Sequence, residues 1–172
     1  MLRASYKNSE SMDSLTNKTT DLTSVMPIIR EQLSTGGTVE FSPRGVSMLP
    51  MLRQGRDTVT LSAPPARLKK YDLPLYVRDN GQYVLHRIVS VKDGYSCIGD
   101  NQFVLETGVR QDQIIAIVTS FCRDGKRIDV SALSYRIYCR FWHYSRGVRH
   151  TWRRAIGKVK RILNRRNTEE ER

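Results

Sequence analysis

Three tight-turn signals constrain how this chain can fold: Asp79-Asn80-Gly81, Asp93-Gly94 and Asp124-Gly125. Each separates two runs of strand-forming residues, and an Asx-Gly pair supplies the positive φ that a short hairpin requires. Runs over 38–42, 58–62, 73–78, 82–92, 95–98, 113–123 and 126–130 are read as strands. Short strands joined this closely predict a mainly β, antiparallel domain that is partly closed into a barrel. Ahead of them, Leu22, Val25, Ile28, Ile29 and Leu33 fall near helical spacing, and Gly36-Gly37 provides a stop. A short N-terminal helix packing on the sheet is expected.

At 172 residues and 39% hydrophobic content, one globular domain with appendages is expected. Residues 1–20 are rich in Ser, Thr, Asn and Lys and read as disordered. The β domain with its leading helix spans 21–130. Most of the net charge of +12 lies beyond it: residues 131–166 hold eleven Lys or Arg and no acid, and an acidic tail follows over 167–172. Within 131–166, Tyr138, Phe141, Trp142, Val148, Trp152, Ile156, Val159 and Leu163 recur at intervals of three and four. Arg140, Arg146, Arg149, Arg153, Arg154, Lys158, Lys160 and Arg161 fill the positions between. This is the pattern of one long basic amphipathic helix, bent near Gly147 or Gly157.

Three roles fit such a helix. It can lie in the headgroup region of an anionic membrane with its tryptophans inserted, bind nucleic acid phosphates, or pack its apolar stripe on the β domain. No helix-turn-helix or zinc pattern accompanies the charge. His143 and His150 are seven apart without a third ligand and read as solvated helix residues. Cys97, Cys122 and Cys139 are odd in number and lack metal-ligand spacing, so neither a metal nor another cofactor is expected.

Chemistry concentrates in three blocks: Gly45-Val46-Ser47-Met48-Leu49-Pro50, Leu85-His86-Arg87 and Gly99-Asp100-Asn101. Gly45 and Pro50 bracket Ser47 in a turn, where a serine either presents its hydroxyl or caps a short helical turn. His86 shares a strand face with Val84 and Ile88. Apolar surroundings keep an imidazole neutral and able to accept a proton; a core histidine bonded to a backbone carbonyl would sit in the same way.

Together, the blocks resemble those of the signal peptidase superfamily, which includes the LexA and phage-repressor autoproteases. Ser47-Met48-Leu49-Pro50, followed by Gly55 and Asp57, resembles the family's Ser-Met-x-Pro block and its trailing Gly-Asp. His86-Arg87 stands where bacterial signal peptidases carry Lys-Arg, and histidine there is the pattern of the endoplasmic-reticulum, archaeal and sporulation types. Gly99-Asp100-Asn101 matches the Gly-Asp-Asn block, and the likeness covers residues 38–122.

The resemblance implies a serine endopeptidase with a signal peptidase/LexA-type β fold that cuts a peptide or pre-protein after small residues. Ser47 would be the nucleophile, His86 the general base and Asp100 the orienting acid, with Asp57 a second candidate acid. Gly45, Met48 and Pro50 would shape the site. Gly45 stands where many relatives place a second serine, which leaves the oxyanion to backbone N–H groups such as that of Ser47.

A LexA-like self-cleaving regulator is one alternative, although neither a DNA-binding segment nor a lysine base is visible. Ala63-Pro64 and Gly36-Gly37 make poor self-cleavage sites. A non-catalytic membrane- or nucleic-acid-binding module is the other. No secretory signal is read in Met1 to Lys18, and the longest apolar stretch before Ser47 is the five residues 25–29, against about 20 for a spanning helix. A cytoplasmic location, or a peripheral one at a membrane, is the resulting expectation.

Overall fold

The computed structural model describes residues 22–152 and Ile156. The expected disordered segment 1–20, the acidic tail 167–172 and the cations Arg153, Arg154, Lys158, Lys160 and Arg161 lie outside the described residues.

Helix α1 (Leu22–Ser34) forms on the expected apolar spacing, although the face it buries is Met26, Ile29 and Leu33, and Ile28 points outward. It ends where expected: Gly36 takes φ +78°, and the Gly36 and Gly37 N–H groups close back onto Leu33 O and Gln32 O. Burial of three such side chains contributes about 1.5–3 kcal/mol each.

Nine strands follow: β1 (Val39–Phe41), β2 (Thr58–Ser62), β3 (Pro74–Val77), β4 (Tyr83–Leu85), β5 (Arg87–Ser90), β6 (Tyr95–Ile98), β7 (Glu106–Val109), β8 (Ile114–Arg123) and β9 (Lys126–Asp129). All their pairings are antiparallel. Among the described residues they form two sheets and no closed barrel. Six strands run in the order β1-β2-β8-β3-β4, with β9 also on β8; the other sheet is β5-β6-β7. The ten-residue β8 is the spine, pairing β2 along one edge and β3 then β9 along the other. Its continuous β-branched run suits a strand buried on both faces.

One expected strand, 82–92, is in fact two. The chain leaves the larger sheet at Leu85 and enters the smaller one at Arg87, so His86 sits at the crossing between sheets. Another strand, β7, carries no turn signal of the kind that marked the others. Two cores result. The larger joins α1 to Val59, Leu61, Leu75, Val118 and Phe121, and the smaller gathers Tyr76, Val84, Ile88, Cys97 and Val109.

Helix α2 (Leu133–Tyr144) closes the larger core with Tyr135 and Cys139. A turn at Ser145 then leads into a second helical segment over 146–152. The helix is interrupted at Ser145, two residues before Gly147; Gly157, the other expected bend, lies outside the described residues.

Candidate active site

Ser47 lies in the turn that follows β1. Gly45 there adopts φ +90°, a conformation that glycine reaches without strain, and Met48, Met51 and Leu52 anchor the turn in the core. Pro50 is exposed behind a cis Leu49–Pro50 bond. The Gly45 N–H is taken by Gln54 Oε1 at 2.7 Å and is no oxyanion donor. Among the described residues, the Ser47 N–H has no protein acceptor.

The Gly-Asp-Asn block holds this turn against His86, each residue by a different means. Asn101 donates its N–H to Ser47 O at 2.8 Å and its side-chain amide to Val46 O at 3.0 Å. Gly99 is the point of closest approach. A Cβ there would stand 2.7 Å from Ser47 O and 3.1 Å from His86 Nε2, which bounds the separation of those two atoms by the sum of the two distances. Only a residue without a side chain fits between them.

Asp100, the expected orienter, does not bond His86. It receives Arg87 Nε at 2.9 Å and Nη2 at 2.8 Å in a fully buried bidentate pair, and Tyr138 OH adds a third bond at 3.0 Å. Asp57 is likewise committed elsewhere. It is wholly buried and accepts the Arg53 N–H at 2.8 Å and the Arg53 guanidinium at 2.7 and 3.0 Å. Hydrogen bonding from Arg53 outweighs desolvation and lowers its pKa, as expected for a structural carboxylate.

The acid beside His86 is Glu106, the first residue of β7. Its Oε1 lies 3.0 Å from His86 Nδ1. Tyr76 OH donates to Glu106 Oε2 at 2.9 Å and stands 3.4 Å from the same imidazole nitrogen. Arg78 grips the carboxylate from its other side, with Nε 2.8 Å from Oε2 and Nη2 on Oε1. Burial favours the neutral acid, but the bonds from Arg78 and Tyr76 prevail and hold Glu106 below the ordinary carboxylate pKa. A carboxylate against Nδ1 fixes the proton there, leaving the lone pair on Nε2, the nitrogen that stands across Gly99 from Ser47 O.

His86 is only 2% exposed. Burial pushes its pKa below the ordinary value, and Glu106 partly offsets this. The ring is therefore neutral at pH 7 and competent as a base. Among the described residues, no hydrogen bond joins Ser47 Oγ to His86. In free enzymes such contacts often tighten only with substrate bound.

Ser47 and His86 border a common cavity of about 230 Å³. Met48, Leu52, Val84 and Leu85 form its apolar wall; Arg44, Arg78 and Gln102 form its polar rim. Among the described residues, strand β4, which carries Val84 and Leu85, is the last strand of its sheet and its outer edge has no partner strand. Among the described residues, no group of three or more His, Cys, Asp or Glu side chains could hold a metal ion.

The C-terminal residues divide between two faces. Trp142 Nε1 donates to Asp100 O at 2.7 Å, and the Arg149 guanidinium stacks 3.6 Å from the Trp142 ring centroid while bonding the same carbonyl. Both residues, candidates for membrane or anion binding, face the Gly-Asp-Asn loop, the packed role open to this helix. Arg146 is half-buried, whereas Arg140 and Trp152 are exposed. His143 packs edge-on against Tyr71, and His150 lies against Phe103. No helix of the described residues is long and apolar enough to cross a membrane.

Glu106 is the acid against His86 that the sequence pattern did not single out. The apolar run Phe103-Val104-Leu105 before it and Val109 after it are the faint marks of its strand. Comparison of the chain with protein-family models, curated proteins and solved structures gives no match.

Proposed function

We propose that this protein is a serine endopeptidase of the signal peptidase type, working through Ser47, His86 and Glu106. The observation that carries the reading is the placement of His86. It is buried in a setting that favours the neutral ring, with Nδ1 on a carboxylate and Nε2 across Gly99 from the turn that bears Ser47.

In the proposed reaction, Ser47 Oγ attacks a peptide carbonyl carbon while His86 Nε2 takes the hydroxyl proton. The Ser47 N–H meets the developing oxyanion. Collapse breaks the C–N bond, the imidazolium returns its proton to the leaving amine, and a water activated by the same nitrogen hydrolyses the acyl-enzyme. Glu106 stabilises the imidazolium in both halves. An extended substrate would add to the outer edge of β4, which leads straight to His86. The resemblance of the three sequence blocks to signal peptidases supports a cut after small residues.

The test is mass spectrometry of a peptide mixture incubated with wild type and with Ser47→Ala. Wild type is expected to generate new termini that Ser47→Ala does not, with circular dichroism unchanged. Equal cleavage by the two proteins would overturn the proposal, as would the absence of cleavage by either one across a library containing small-residue sites.

A further inference from the structure

Helix α2 has two apolar faces, and the fold uses only one. Tyr135, Tyr138, Cys139 and Trp142 turn inward. Leu133, Ile137, Phe141 and Tyr144 are 57–74% exposed, and 3.6 residues per turn place them together on the opposite side. After the turn at Ser145, Val148 and Trp152 continue the exposed apolar series at 72% and 69%. From Leu133 to Trp152 such a helical path extends roughly 30 Å at 1.5 Å per residue.

One flank of this stripe is cationic. An open groove of about 470 Å³ runs between α2 and the loop before β3, and Lys69, Lys70, Arg136 and Arg140 border it. Among the described residues, none of these four forms an ion pair with a carboxylate within 4.0 Å. The groove's acid, Asp72, is tied by Oδ2 to the Lys69 N–H at 2.7 Å. Lys70 Nζ lies 6.0 Å from the Tyr144 ring centroid, so charge and stripe adjoin.

We propose that this face docks on an anionic lipid bilayer, with the stripe of α2 in the headgroup–acyl boundary and lipid phosphates over the Lys69–Lys70–Arg136–Arg140 groove. The stripe lies along a helix surface and carries Tyr144 and Trp152, side chains suited to the headgroup level. The sequence from 131 to 166 contains no Asp or Glu to oppose an anionic surface. Docking bears on the cavity beside Ser47. The Phe103 ring packs 4.7 Å from His150, and Gln102, the preceding residue, is one wall of that cavity. The inference stands independently of the peptidase reading.

Flotation of the full chain with phosphatidylcholine vesicles, with and without phosphatidylglycerol, tests it. Wild type is expected to float with the anionic vesicles only, and less so in high salt. Ile137→Asp with Phe141→Asp should lower the bound fraction about tenfold or more. Glutamine at Lys69, Lys70, Arg136 and Arg140 should lower it comparably and flatten the salt dependence. All six positions are exposed, so unchanged circular dichroism is expected in both variants. The proposal is overturned if wild type stays unbound or if the aspartate variant floats as wild type does. A stripe that serves as a subunit contact would make the aspartate variant monomeric while leaving flotation unaltered. A groove that serves nucleic acid would show as loss of RNA binding, but not of vesicle binding, in the glutamine variant. Either result also overturns the proposal.

Discussion

Glu106 and Asp100 are both acids near His86, and their surroundings assign them opposite work. Glu106 touches the imidazole at 3.0 Å and is part-exposed, whereas Asp100 is spent on the guanidinium of Arg87. Glu106→Gln should therefore lower turnover by about 10²–10⁴-fold at unchanged stability. Asp100→Asn strands the buried Arg87 charge and should cost about 3–5 kcal/mol, read by urea denaturation. The pH profile follows from the same geometry. His86 must be neutral to accept a proton, so kcat/KM is present above its pKa and lost below it. Burial lowers that pKa, which places the acid limb below the ordinary value of about 6.5. In Glu106→Gln, the charge that raises it is gone, and the limb should move further down; an upward shift would contradict the proposed contact.

At the scale of elements, the site is a matter of how loops are held. Gly99→Ala would drive a Cβ into the backbone oxygen of Ser47, and since that atom cannot swing aside the turn must move. A loss in kcat/KM of about 10²-fold with retained circular dichroism is expected, because displacement of a nucleophile by about 1 Å has that order of effect. Much of this layout is legible in the sequence: α1 with its glycine stop, the hairpin turns and the turn around Ser47 fall where local patterns put them, whereas His86, expected within one strand, sits between two. Strand β7 is not legible there, because only one of its four residues is buried and Gly108 takes φ +73° within it, leaving no alternation to detect. The missing strand hid Glu106. The partner of Asp100 is hidden for a different reason: whether its carboxylate meets His86 or Arg87 is decided by tertiary placement, and neighbouring residues in sequence carry no mark of it.

At the scale of the whole molecule, α2 is part of the domain and also its most exposed apolar surface. Arg87 is the junction, reaching Asp100, Tyr135 OH at 2.7 Å, Cys139 Sγ at 2.9 Å and Met51 Sδ at 2.9 Å. Truncation after residue 130 removes Tyr135 and Cys139 from the core and, with them, two of the groups that Arg87 bonds. The expected loss is about 5 kcal/mol or more, comparable with the whole stability of a small domain. The shortened chain should therefore show no cooperative urea transition, and a transition like that of the full chain would refute the packing role. His86 and Arg87 point to opposite sides of the crossing between the two sheets, one toward the cavity and one toward α2. The proposed base and the structural cation are thus adjacent in sequence with opposite surroundings. Exchanging the two residues, His86→Arg together with Arg87→His, would place a permanent cation in the cavity and an imidazole among the aromatics of α2.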